Sequence, residues 1–301
     1  MVQHGVGIRG SAEMTAAMLI AGTIGWVVLA IGQPVADVVF WRCLIGAAVM
    51  LPVAWTAGHL RIGSLTWRTL LITVLGGVAI VTNWLLLFAS YSHASVSVAT
   101  VLYNTQPLML VGFGVMLFGE RITLRKIIWL ATAFAGMALI VQAKPGGSYA
   151  DGNIIVGALL ALGAAFFYAL AAVAAKKLRG TSPYLITVIQ TMVGAAMLAP
   201  FVAFSGIPQT GGQWAGLVTI GVVHTGLMYV LLYGAIQRLP TGITASLSFI
   251  YPVAAVAVDF AALGVRLHPI QIFGAALILV AAAGMQLGWR FERGKTAKAA
   301  G

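Results

Sequence analysis

The sequence predicts an all-α membrane protein of ten transmembrane helices, arranged as a 5+5 inverted-topology repeat. Three observations carry that expectation. The first is composition: of 301 residues, 61% are hydrophobic and 8% charged, with a mean hydropathy of +1.01. A soluble domain carries roughly 45–50% apolar and about 25% charged residues, so this chain cannot coat a water-facing globule. Soluble enzymes, secreted modules and disordered proteins are excluded on that ground. The second is that the apolar residues gather in ten runs, each near the ~20 residues that cross a bilayer. The third is that the second half of the chain repeats the first.

The runs cover residues 13–31, 35–55, 67–90, 95–117, 123–142, 153–175, 183–204, 213–236, 242–264 and 269–289. No recognisable cleavage site follows the first, which is read as a retained signal-anchor span. All ten are continuously apolar and lack the period-two alternation of barrel strands, so helices are expected. Turn chemistry separates them at Gly32-Gln33-Pro34, Lys144-Pro145-Gly146-Gly147 and Gly211-Gly212. The loops and tails are too short for a separate soluble domain. The single cysteine, Cys43, lies inside a run, so no intramolecular disulfide forms.

Charge sets the orientation. The chain holds 17 Lys and Arg against 6 Asp and Glu, a net +11. With the N-terminus in the cytoplasm, the inside segments hold Arg9, Arg61, Arg68, Arg121, Arg125, Lys126, Lys176, Lys177, Arg179, Arg238, Arg290, Arg293, Lys295 and Lys298. Only Lys144 and Arg266 fall outside, and Arg42 lies within a span. The positive-inside rule therefore places both termini in the cytoplasm of a multi-pass cell (inner) membrane protein, and the net charge calls for no nucleic acid. Trp55, Trp67, Trp214 and Trp289 sit at run ends, where interfacial indoles belong.

The repeat is visible residue by residue. Leu102-Tyr103-Asn104-Thr105-Gln106-Pro107 aligns with Leu247-Ser248-Phe249-Ile250-Tyr251-Pro252, an offset of 145. The same offset aligns Gly119-Glu120-Arg121 with Gly264-Val265-Arg266, and Gly76 with Gly221. An offset of 148 aligns Gly46-Ala47-Ala48 with Gly194-Ala195-Ala196, and one of 141 places Trp26 over Phe167. The halves divide at 1–147 and 148–301, the second ending in a short basic tail. Five spans per half is an odd number, so the second half enters the membrane from the opposite side. Two such copies define two related states, one open to each face, as alternating access requires. A duplicated scaffold without transport is the competing reading.

With these features in view, the chain resembles the drug/metabolite transporter superfamily in its ten-helix EamA-type branch. The resemblance covers nearly the whole chain and rests on the two five-span halves, Trp26, Arg42, the prolines of spans four and nine, and Gly119-Glu120-Arg121. It implies a secondary transporter of amino acids or other small metabolites, most like the aromatic amino acid exporters. The second copy departs from the pattern, with Val265 where the first has Glu120.

Candidate site residues follow from polar and aromatic side chains at mid-span. Pro107 and Pro252 each free the carbonyl four residues earlier, at Tyr103 and Ser248, and are read as paired hinges. Beside them lie Asn104 and Tyr251. Span three offers Asn83 and Trp84; under the offset of 145 Asn83 maps onto Met228 of span eight, and Ala79 onto His224. Ala79 with Asn83, and His224 with Met228, form one pseudo-symmetric face expected to line the cavity. His224 could equally be a neutral interhelical hydrogen bonder. Trp26, Phe167 and Tyr168 would supply ring-lined walls. Arg42 would pair with Asp259 or Asp37, and the sequence does not choose between them; a structural pair or an external vestibule is expected for it, rather than a midplane site.

These residues favour a particular solute. No Lys or Arg is expected near the midplane, which counts against a phosphorylated substrate. Span one has no mid-span glutamate, which counts against a small cation pump. A zwitterion with an apolar side chain needs no net counter-charge. The expected function is therefore export of neutral, aromatic or large hydrophobic amino acids, with hydrophobic drugs or other metabolites as the alternative. No metal motif, cofactor motif or nucleophile–base pair stands at readable spacing, so no cofactor and no enzymatic activity are expected. The expected partners are the small-molecule solute and the lipid bilayer.

Overall fold

The computed structural model describes residues 2–60, 65–90, 93–94, 96–142, 153–202, 207–263 and 268–289. Among them the protein is all-helical, and ten helices are long and apolar enough to cross a membrane. Spans one to five are Gly7–Val28, Ala36–Thr56, Trp67–Ser90, Val98–Phe118 and Leu124–Gln142. Spans six to ten are Ile154–Lys177, Pro183–Phe201, Gly211–Arg238, Thr241–Ala262 and Pro269–Leu287. The turn at Lys144-Pro145-Gly146-Gly147, the junction of the halves at 147/148 and Gly264-Val265-Arg266 lie outside the described residues.

Local chemistry explains where helices begin and stop. Gly32 and Gly119 close their helices with φ of 63°, a left-handed turn that costs glycine nothing. Thr210 and Gln213 build a reciprocal capping box at the start of span eight. Helix one begins well before the apolar run, at Val2, because the surface pair Arg9–Glu13 (2.9 Å, four residues apart) supports a polar turn that hydropathy does not register.

Three spans are interrupted at mid-depth. Span one breaks at Thr23, between Val2–Gly22 and Ile24–Ile31. Span four breaks after Tyr103 and resumes at Gln106; span nine breaks at Phe249 and resumes at Ile250. Each restart places its proline in the first turn of the new segment (Pro107, Pro252), where a missing N–H is tolerated. Span eight carries a π-helical stretch, Ile220–Leu227, that the sequence pattern does not announce.

The halves pack as a pseudo-twofold pair. Span one lies on span eight as span three lies on span six. Spans one and nine mirror six and four, and spans two and eight mirror seven and three. Spans two and seven, four and nine, and five and ten meet their own mates. The repeated glycines mark these crossings. A methyl at Gly136 would come within 2.6 Å of the Gly274 carbonyl oxygen, so spans five and ten touch backbone to backbone. The outer surface carries exposed large apolar side chains, such as Leu75, Leu159 and Phe273, as a lipid-facing wall does. Trp55, Trp67, Trp214 and Trp289 are exposed at span ends.

Candidate functional site

The candidate site is the aromatic cluster beside the breaks in spans four and nine. Tyr103 (span four) lies near Tyr168 (span six), Tyr229 (span eight) and Tyr251 (span nine), with Asn83 beside it. Tyr103 and Tyr168 meet edge to face at 6.3 Å, and Trp84 meets its repeat mate Tyr229 the same way at 6.0 Å. Tyr103, Tyr168 and Tyr251 are half-buried, and Tyr168 and Tyr251 pack against the central core. Such rings offer both apolar walls and hydroxyl tips.

A second group adjoins this one. A small gap of about 10 Å³, room for about one water molecule, is lined by Ile80, Trp84, Thr187, Gln190, Thr191, Thr225, Tyr229 and Tyr233. Arg42 of span two, 3% exposed, touches two of these lining residues, Thr225 and Trp84. Its Nε donates to Thr225 Oγ1 at 2.9 Å, and one terminal nitrogen lies 3.4 Å from the His224 carbonyl oxygen. The guanidinium carbon lies 4.3 Å from the Trp84 ring centroid, a cation–π stack. Thr225 sits near the middle of span eight, so the Arg42 head lies at mid-membrane rather than in an outer vestibule. Neither acid considered for it is found in contact: among the described residues no carboxylate pairs with Arg42, and the Asp259 side chain lies outside them.

The π-helical turn makes this corner. Thr225 gives its hydroxyl proton to the Ile220 carbonyl five residues back (2.9 Å), which leaves its oxygen free to accept from Arg42. His224, in the same turn, meets Thr23 Oγ1 at 2.7 Å. The Thr23 hydroxyl donates to the Ile20 carbonyl (2.8 Å), so the histidine Nε2–H is the donor and His224 clasps span eight to span one. Asn83 forms the mate of that clasp. Its Nδ2 donates to the Ala164 carbonyl at 2.8 Å, and Ala164 stands at the repeat position of Thr23. The face shared by Asn83 and His224 thus turns toward the neighbouring helix of the other half. Met228 is buried in the central core.

Other expected residues are placed as follows. Asn104 Nδ2 donates to the Thr100 carbonyl (2.8 Å) and Ser248 Oγ to the Thr244 carbonyl (2.9 Å), each within its own helix. Phe167 packs edge-on to Phe166 at 5.8 Å and lies partly buried against the core. Trp26 is 44% exposed. The sequence reading passed over Gln190, which accepts from the Tyr233 hydroxyl. Its signal was legible, an amide in the middle of an apolar run.

One face of the bundle is latched by charge. This basic face carries the start of span one and the ends of spans four, six and eight. Glu120 Oε1 meets Lys176 Nζ at 2.6 Å, and its Oε2 accepts from the Thr241 backbone N–H (2.9 Å) and hydroxyl (2.6 Å). Lys176 also donates to the Leu239 carbonyl at 3.0 Å. Glu13 Oε2 joins Arg238 at 2.6 Å. Burial pushes the Glu120 carboxyl up, but the bonds from Lys176 and Thr241 and the lysine charge outweigh it and hold the group below the ordinary glutamate value. On this face spans four and nine pack together through Gln106–Phe118 and Thr241–Ser248. Their other halves, Val96–Tyr103 and Ile250–Leu263, make no comparable contact among the described residues.

No group of three or more His, Cys, Asp or Glu that could hold a metal ion occurs among the described residues.

Known proteins bear on this arrangement. Residues 10–142 and 155–286 each match the model of the EamA-like transporter family. An uncharacterized transporter of Bacillus subtilis, YxxF, is 30% identical over 287 residues, covering 94% of this chain and 90% of that protein. An uncharacterized transporter of Archaeoglobus fulgidus is 28% identical over 286 residues, covering 93% and 96%. A solved crystal structure superimposes with a TM-score of 0.83 over 92% of this chain and 96% of that one, at 20% identity, and shares the fold.

Proposed function

The chain belongs to the EamA-like transporter family, and from that premise we propose that it exports neutral amino acids with aromatic or large apolar side chains. The membrane is the cell inner membrane, with both termini in the cytoplasm. The observation that carries this reading is the ring-walled centre, in which tyrosines from spans four, six, eight and nine converge with Trp84. The walls suit an apolar side chain, and hydroxyl and amide groups suit the polar end of a zwitterion.

The solute enters between two five-helix halves, 1–147 and 148–301, which rock about it. Pro107 and Pro252 act as the hinges, because each already interrupts its helix at mid-depth. The Glu120 and Glu13 latches close the cytoplasmic face in the resting state, so the centre faces outward at rest. Opening inward breaks those latches, and the solute's binding energy, where it favours the inward state, drives the change. Trp26, Phe167, Asn104, Ser248, His224 and Met228 contribute to the site as its walls rearrange.

Flux into proteoliposomes tests the reading. Radiolabelled phenylalanine or leucine should accumulate faster than in protein-free vesicles and saturate with concentration. Equal rates with and without protein, across a full panel of amino acids, would exclude amino acids as substrates.

A further inference from the structure

Two cations are buried among the described residues, and they are treated differently. Lys176 is matched by Glu120 at 2.6 Å. Arg42 is matched by no carboxylate among the described residues, although a charge at membrane depth costs about 2.5–3.5 kcal/mol on insertion scales. Its contacts are neutral: one hydroxyl, one distant carbonyl and an indole face. A guanidinium carries five N–H donors in a fork that fits a carboxylate. Its partners here leave that capacity largely unused.

The adjoining gap shows the same imbalance. Gln190 is 4% exposed and lines it; its Oε1 accepts from Tyr233, while its Nε2 has no partner. Thr225 and Thr191 both spend their hydroxyl protons on carbonyls of their own helices. Thr187 likewise donates to the Pro183 carbonyl, and the remaining walls, Ile80, Trp84 and Tyr229, are apolar or aromatic. What this corner lacks is an electron-rich group to accept from the amide Nε2 and the unused guanidinium N–H groups. The cation–π contact with Trp84 and the Nε bond to Thr225 hold the guanidinium in place, so the fork is pre-organised rather than assembled on arrival.

We infer that Arg42 is the carboxylate-recognising group of the transport site, with Gln190 as its second donor, and that a carboxylate is the obligatory feature of the solute. The inference rests on the transport reading above and narrows it. An ammonium group is dispensable, so aromatic monocarboxylates bind as well as zwitterions. Amines and amides of the same shape do not. A solute carboxylate seated there supplies a counter-charge that no described residue gives Arg42, and the pair is neutral as it crosses.

Thermal-shift titration of the purified full chain tests this with four probes: phenylalanine, 3-phenylpropionate, phenylalaninamide and 2-phenylethylamine. The first two should stabilise the protein, and the last two should bind about tenfold to a hundredfold more weakly, the loss expected for charge-assisted hydrogen bonds. Arg42→Lys should retain a reduced preference for the acids, and Arg42→Gln should lose it. The wild-type series stands alone if Arg42→Gln does not fold. Amide or amine binding as tight as the acids, or an Arg42→Gln variant that keeps the preference, overturns the inference. So does binding by none of the four. In each case vesicle flux of any solute still upholds transport, whereas absence of all flux removes the reading beneath it.

Discussion

Glu120 ends span four with two oxygens that reach two different helices, Lys176 of span six and the start of span nine. Replacing it by Gln keeps shape and removes charge, leaving Lys176 buried without its counter-ion. The closed arrangement should lose about 1.5–3 kcal/mol, the worth of a charge-assisted bond. A cysteine placed at the inner end of span nine should then react with a water-soluble maleimide at least several-fold faster. Cys43, 1% exposed, gives little background. Acid should act in the same direction. A carboxyl held below its free value of 4.5 stabilises closure above that pH, and the contribution drains away as pH falls from 4.5 through the lowered value. Unchanged labelling in Glu120→Gln would remove the latch from the account. At this scale the sequence was only partly legible. The tyrosines near the prolines and Trp84 could be picked out because polar or amphipathic side chains at mid-span are costly in lipid. The destinations of Asn104, Ser248 and His224 could not, because satisfaction by the helix's own carbonyl or by a neighbouring helix leaves no mark in one-dimensional spacing.

Elements were read more easily than their irregularities. Continuous apolar runs located all ten spans, since hydrocarbon demands unbroken internal hydrogen bonding. Prolines also announced the breaks in spans four and nine. The break at Thr23 and the π-helical turn at Ile220–Leu227 carry no such punctuation. Both arise where Thr23, His224, Thr225 and Arg42 bond between and within helices. Glycines at aligned positions proved to be crossings. Spans five and ten approach so closely at Gly136 and Gly274 that any side chain meets backbone. Gly136→Leu should therefore cost about 1–3 kcal/mol or more, the penalty of overpacking, seen as a lowered melting temperature in detergent. Gly112→Leu, where a methyl would meet nothing within 4 Å, should leave it nearly unchanged. Equal effects would mean that the crossing is not tight.

For the whole molecule, an odd number of spans per half made the inverted repeat readable before any contact was known, and the mirrored helix pairings follow from it. The two faces are not equivalent, however. Repeat positions place Ile154 against Glu13, Val35 against Lys176, His93 against Arg238 and Val265 against Glu120. Among the described residues charge latches one gate only, and on the proposed rocking mechanism the outward-facing state rests lower and inward opening is the costlier step. Paired spin-label distances measure this directly. One pair would sit at the inner ends of spans four and nine, at Phe118 and Gly242, and a second at their outer halves, at Val98 and Ala261. On adding a transported solute, the account predicts that the inner distance lengthens while the outer one shortens. Distances that stay fixed, or that lengthen together, would contradict a rocking of two inverted halves about a central site.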